Sequence, residues 1–149
     1  MLRLRLRWLI KVLNFRILLF FMRRIAKSIL YNGDRILSQK RDSDLEKYPG
    51  VWTLFGGNIK EGENPEEALR RELLEELDYE LGEVRFLFTL VRKQDKEEVE
   101  DNIFACEVGR DILECELKEG EDMRFFGVGD LDKLNLFPNF KKYILEYFS

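Results

Sequence analysis

The chain contains no histidine. That absence removes imidazole as general base, as partner to a nucleophile and as metal ligand. Cysteine is nearly missing too. Cys106 and Cys115 have neither CxxC spacing nor a histidine to complete a zinc set, which argues against a structural zinc site and a disulfide framework. The two thiols read as buried or half-buried groups in a reducing cytoplasm. No internal repeat and no low-complexity linker divides the 149 residues, a length suited to one domain. No apolar run reaches the ~20 residues that a membrane-crossing helix requires. The best stretch, Trp8 to Met22, is interrupted by Lys11, Asn14 and Arg16, and no small-residue cleavage site follows it. Acid is absent from one end: residues 1–33 hold eight Lys/Arg and no Asp or Glu, whereas the remainder holds 17 Lys/Arg against 29 Asp/Glu. An acidic body of this kind argues against stable nucleic-acid binding. It suits the capture of a cation that in turn recruits phosphate.

What the chain does have is concentrated in residues 57–79, where a glycine loop runs into a glutamate-rich segment. Asn64 is a good N-cap, Pro65 suits the first helical position, and Glu67 stands where a capping box needs it. The spacing predicts a helix from about Pro65 to Leu77. Leu69, Leu73 and Leu77, helped by Leu74, form its buried stripe. Glu72, Glu75 and Glu76 are related by i,i+3 and i,i+4 and share one side. Like charges at i,i+4 cost a helix about 0.2–0.5 kcal/mol per pair. A hard divalent cation bound between them converts that cost into affinity.

Residues 57–79 resemble the Nudix box, G-x5-E-x7-R-E-U-x-E-E-x-G-U, where U is a bulky apolar residue. Gly57, Glu63, Arg71-Glu72-Leu73, Glu75-Glu76 and Tyr79 fill its positions. Asp78 stands where the family usually has glycine, a departure that bears on the helix end more than on chemistry. The resemblance implies an α+β fold, an α/β/α sandwich with a mixed β-sheet between helices. It implies Mg²⁺-dependent hydrolysis of a pyrophosphate bond in a nucleoside diphosphate linked to another moiety, with Mn²⁺ as a possible substitute. The alternative is a catalytically silent nucleotide-binding or interaction module on the same fold.

The same resemblance implies the site. Glu72 and Glu76 are the principal metal ligands, with Glu75 as ligand or base and the Gly57 carbonyl (or that of Gly56) as a backbone oxygen. Arg71 orients a carboxylate, and Glu63 braces the loop. A further acid outside the box is expected in Lys118–Asp122, with Glu121 and Glu119 as candidates and plain exposed loop charge as the other reading. Glu97, Glu98 and Glu100 read as solvated. Gly56, Phe55 and Arg41 are the candidate substrate-binding residues. Trp52, Phe55, Phe86 and Phe88 either stack on a base or fill the core. No proline lies between Pro65 and Pro138, and no tyrosine between Tyr79 and Tyr143. The downstream proline of ADP-ribose hydrolases and the downstream tyrosine of dinucleoside polyphosphate hydrolases are therefore both missing. Nor is a coenzyme A motif present. Nucleoside triphosphates and nucleotide sugars remain open.

The pattern elsewhere predicts strands at Arg24–Tyr31 and Arg35–Arg41 around an Asn32-Gly33 turn, then at Trp52–Phe55. It predicts a hairpin of Phe86–Val91 with Val99–Val108 and a strand at Met123–Val128. One helical turn is expected at Leu131–Leu134, and a C-terminal helix carries Phe140, Tyr143, Ile144, Tyr147 and Phe148 on one stripe. Residues 1–22 form a basic, apolar extension to a domain of residues 23–149. Leu2, Leu4, Leu6 and Trp8 alternate with arginines as in a half-exposed strand. The extension is a strand or helix covering the sheet or a homodimer interface, a membrane-surface or targeting segment, or a stretch ahead of a true start at Met22.

Overall fold

A computed structural model describes residues 2–148. The elements run α1 (Leu2–Phe21), β1 (Arg23–Asn32), β2 (Arg35–Lys40), β3 (Trp52–Thr53), β4 (Phe55–Asn58), α2 (Pro65–Leu77), β5 (Arg85–Gln94), β6 (Glu97–Glu107), β7 (Asp122–Gly127) and α3 (Phe140–Phe148). Two 3₁₀ segments, Arg110–Glu114 and Val128–Lys133, join the later elements. The first was not anticipated from sequence. The second takes in the expected turn at Leu131–Leu134 except Leu134, which caps it in an extended conformation. Five strands lie in the order β3-β2-β1-β6-β5, while β4 pairs with β1 and β7 with β2. The β1–β6 ladder is parallel and the others are antiparallel, so the sheet is mixed.

Each strand contributes alternately to two cores. Leu30, Leu37 and Phe104 pack with Leu69, Leu73 and Leu77 of α2 on one face. Ile29, Ile36 and Ile103 pack with Phe140, Tyr143 and Ile144 of α3 on the other. Fully burying a leucine or isoleucine side chain contributes about 1.5–3 kcal/mol, so these one-step alternations fix register firmly. The result is the expected α/β/α sandwich.

Residues 2–12 are helical, and the strand reading of that segment is corrected. Leucine, arginine and lysine are strong helix formers, and that preference prevails here over a short period-2 alternation. Leu4, Leu6, Trp8, Leu9, Ile10 and Leu13 are exposed, so the segment does not complete the core. The side chains of residues 15–21, including most of the Ile17–Met22 run, lie outside the described ones. Among the described residues, no helix is long and apolar enough to cross a membrane.

Candidate active site

Strand β4 lays Gly57 opposite Ala26 and Gly56 opposite Lys27. Gly56 has φ +134°, and a Cβ there would lie 2.0 Å from the Ala26 carbonyl oxygen, so only glycine allows this strand to close on β1. At Gly57 a Cβ would lie 2.5 Å from Cδ of Glu72. The space left by the missing side chain is where the Glu72 carboxyl sits.

Helix α2 is set by its cap. The Glu67 amide donates to Asn64 Oδ1, and the Asn64 amide donates to Glu67 Oε2, each at 2.9 Å. At the other end Asp78 takes the left-handed conformation at φ 52°, and its amide donates to the Leu73 and Leu74 carbonyls. Aspartate thus serves where glycine was expected. With Leu69, Leu73 and Leu77 buried, and Leu74 exposed instead of helping that stripe, Glu72 and Glu76 line a cavity of about 610 Å³ together with Gly56 and Gly57. Glu75 points away. Its side chain is 54% exposed and bonds Arg71 at 3.2 Å.

Arg71 ties the loop to the helix. It grips Glu63 through Nε at 2.5 Å and Nη2 at 3.0 Å, and donates Nη1 to Glu72 Oε1 at 2.7 Å. Nη2 also donates to the Asn58 carbonyl at 2.9 Å. Glu63 in turn accepts the Lys60 amide at 2.8 Å, and the Arg71 guanidinium holds its carboxyl down, at about 2. The two-pronged grip on Glu63 steadies the guanidinium, whose single charge-assisted bond to Glu72 orients that carboxylate in advance.

Glu76 is different. Its residue is only 6% exposed, and burial pushes its carboxyl up to about 7 despite the opposing charge of Lys27. The negative charges of Glu72 and Glu119 push the same way. Among the described residues its side-chain donor is Gln39 Nε2, a long 3.5 Å away.

The cavity also takes in Lys27, Arg41 and Glu119, and extends to Arg92, Asp101 and Phe137. Asp101 is buried and clamped by Arg92 at 2.5 and 3.3 Å, and Tyr143 donates its hydroxyl to it at 2.6 Å. The Arg92 guanidinium lies 5.7 Å from the centre of the Phe137 ring. Lys27 donates to the carbonyls of Leu54 at 3.2 Å and Gly56 at 3.3 Å. Sequence reading passed over both groups. The available signal was a lone lysine inside the apolar strand run Ile25–Leu30, and an aspartate and an arginine on facing strands.

Several expected residues are placed otherwise. Phe55 is fully buried among the α2 leucines, which removes it as a stacking surface. Trp52 is buried against Phe126, and Phe88 packs on Tyr143. Phe86 is exposed beside Phe104. Glu121 is not brought into the cavity: it accepts the Ser43 amide at 2.6 Å and pairs with Lys40 at 3.3 Å. These bonds hold its carboxyl below its ordinary value. Glu119, two residues earlier, lines the cavity instead. Arg41 lines it too, but its guanidinium is engaged by the Tyr48 and Lys47 carbonyls. Glu97 and Glu98 are exposed, while Glu100 pairs with Arg24 at 3.0 Å. Cys106 and Cys115 are both free, and burial pushes the Cys106 thiol up to about 12.

Among the described residues, no three acidic side chains converge into a ready cage. The donors present are two carboxylates and glycine backbone, all hard oxygens. That set fits Mg²⁺, which uses one or two carboxylates and leaves other positions to water and phosphate oxygens.

Comparison with known proteins identifies the family and the fold. The sequence pattern of the NUDIX domain matches residues 22–148. The nucleoside triphosphatase NudI of Enterobacter sp. (strain 638) is 47% identical over 55 residues, which is 37% of this chain and 39% of that protein's length. The MutT NUDIX hydrolase of Burkholderia pseudomallei superposes with a TM-score of 0.72 at 22% identity, covering 85% of this chain and 98% of that one. The NUDIX domain of Shewanella oneidensis NrtR, solved with ADP ribose, superposes with a TM-score of 0.70 at 16% identity, covering 86% and 89%. At these identities the two superpositions speak to the fold.

Proposed function

This chain belongs to the NUDIX family, and from that premise we propose that it hydrolyses a pyrophosphate bond in a nucleoside diphosphate linked to a further group, using Mg²⁺. The observation that carries the reading is the pairing of Glu72 and Glu76 on one cavity wall, with Glu72 seated in the space left by Gly57. The cavity, at about 610 Å³, is of a size that takes a nucleotide. A nucleoside triphosphate is the favoured substrate, because the Enterobacter relative bears that activity in its name.

Glu72, Glu76 and the backbone of Gly57 would hold the cation, since the Gly56 carbonyl already accepts from Lys27. When bound, it would neutralise charge on the phosphoryl oxygens and favour ionisation of water. Arg71 acts through others: by fixing Glu72, Glu63 and the Asn58 carbonyl it sets the ligand geometry before substrate arrives, so little reorganisation is needed during reaction. Glu119 is the acid best placed to accept a proton from water inside the cavity, a role for which Glu121 is already engaged elsewhere. Glu75, exposed and bonded to Arg71, supports the helix side of this network. The hydrolase unit is residues 23–149, with residues 1–22 appended.

Product analysis across nucleoside triphosphates, nucleotide sugars and ADP-ribose with Mg²⁺ tests the reading. We expect cleavage between phosphorus atoms and a preference for triphosphates. Nucleotide binding without turnover of any compound would make the chain a binding module instead.

A further inference from the structure

Among the described residues five basic side chains line the cavity, and four of them pair with a carboxylate or donate to a side-chain or loop oxygen. Arg92 is clamped by Asp101, Lys47 pairs with Asp95, Arg23 donates to Gln94, and Arg41 donates to loop carbonyls. Lys27 is placed differently. It sits in the middle of β1, and with Arg23 and Ile25 it occupies alternate positions that all reach the cavity. It is half-buried at the cavity wall, and that burial lowers its pKa from the ordinary lysine value. Its two acceptors are backbone carbonyls, which carry no net charge. Among the described residues, no carboxylate pairs with it within salt-bridge distance. An ammonium taken out of bulk water without a paired anion is costly. The charges of Glu76, Asp101 and Glu72 oppose that lowering of the Lys27 pKa, while Arg41 adds to it. Asp101 is already neutralised by Arg92. Glu72 and Glu76 are the groups a divalent cation would engage. Once they are engaged, Lys27 is left facing the cavity with no counter-charge.

We propose that Lys27 binds an anionic oxygen of the substrate's pyrophosphate, beside the carboxylate end of the cavity. One hydrogen bond to the Gly56 carbonyl places its ammonium at that end, and Asp101 marks the other direction. Metal and lysine then divide the work. The carbonyls of Leu54 and Gly56 hold the ammonium in place for that contact, and a cation held by Glu72 and Glu76 would supply the remaining charge neutralisation. The inference rests on the pyrophosphate-hydrolase reading above.

The test is calorimetric titration of the intact chain with imidodiphosphate, a non-hydrolysable pyrophosphate, in Mg²⁺. A hydrogen bond to a charged group corresponds to about a ten- to hundredfold change in affinity. Lys27→Met and Lys27→Gln should each bind imidodiphosphate weaker by that factor, while Lys27→Arg stays within a few fold of the wild type. Glutamine can still donate to the two carbonyls but carries no charge. Retained affinity in Lys27→Gln would therefore show that the residue only braces the backbone, and would overturn the proposal. So would unaltered affinity in Lys27→Met, absence of imidodiphosphate binding by the wild type, or an equal loss of affinity for Mg²⁺ alone. If binding depends on Lys27 and yet no nucleotide is turned over, the inference stands and the hydrolase reading falls.

Discussion

Replacing Glu76 by glutamine should stabilise the metal-free protein while disabling it. The Glu76 carboxyl is pushed from 4.5 in the unfolded chain to about 7 in the fold, chiefly by burial. A group whose folded pKa is raised stabilises fully below its unfolded pKa, and that contribution is lost as pH rises through the folded value. Between pH 4.5 and 7 the wild type should thus lose about 3 kcal/mol from this one residue, at 1.36 kcal/mol per pH unit. Glutamine matches glutamate in size and donates and accepts in its place, but does not ionise. Charges common to both proteins cancel in the comparison. Urea unfolding of both proteins with excess chelator, at pH values from 4.5 to 8, measures the difference directly. Glu76→Gln should be of similar stability to the wild type at the acid end and more stable by about 3 kcal/mol at the alkaline end. Saturating Mg²⁺ should then stabilise the wild type at pH 8 and do little for the variant, since only a ligand that binds the folded state shifts the midpoint. A stability difference that stays flat across this window would refute the burial argument.

Three further outcomes follow from the glycine loop, the helix end and the extension. Gly57→Ala should fold but lose most hydrolysis, because its Cβ displaces only the end of the Glu72 side chain, whereas Gly56→Ala meets the Ala26 carbonyl and should lose about 3 kcal/mol or fail to fold; paired thermal melts and rate assays separate the two. Asp78→Gly should raise stability by about 0.5–1 kcal/mol in denaturant titration, since the left-handed conformation at φ 52° suits glycine better than aspartate. A chain starting at Met22 should unfold cooperatively within about 2 °C of the intact protein, because every described apolar side chain from Leu4 to Leu13 is exposed or half-exposed; a lost transition would show that α1 belongs to the domain, and a change of oligomer size by light scattering would make it an interface.

The fold was legible where two signals agreed. In α2 the cap, the leucine stripe and the box spacing all pointed to Pro65–Leu77, and those are its observed ends. For β1, β2 and β6 the strand pattern and the Asn32-Gly33 turn pointed to Arg24–Tyr31, Arg35–Arg41 and Val99–Val108, close to the observed Arg23–Asn32, Arg35–Lys40 and Glu97–Glu107. Legibility failed where a short pattern competed with propensity, as with the Leu-Arg alternation that became α1. It failed again where role depended on which way a neighbouring residue turned. Glu119 and Glu121 are equivalent in sequence, yet backbone pairing of Glu121 with Lys40 turns one acid to the loop and leaves the other at the cavity. Phe55 is likewise buried because β4 pairs with β1, a long-range ladder no local pattern announces. The Arg71 network was visible as a motif, but its grip on Glu63 and the Asn58 carbonyl needed the folded loop.

The central claim is that Glu72 and Glu76 hold a divalent cation on which hydrolysis depends. Phosphate release from a nucleoside triphosphate should stop in excess chelator, return on adding Mg²⁺ or Mn²⁺, and fall by about 10²–10³ in kcat when Glu72 is changed to Gln in a chain that still folds. Full activity in chelator, or near-native kcat in Glu72→Gln, would contradict it.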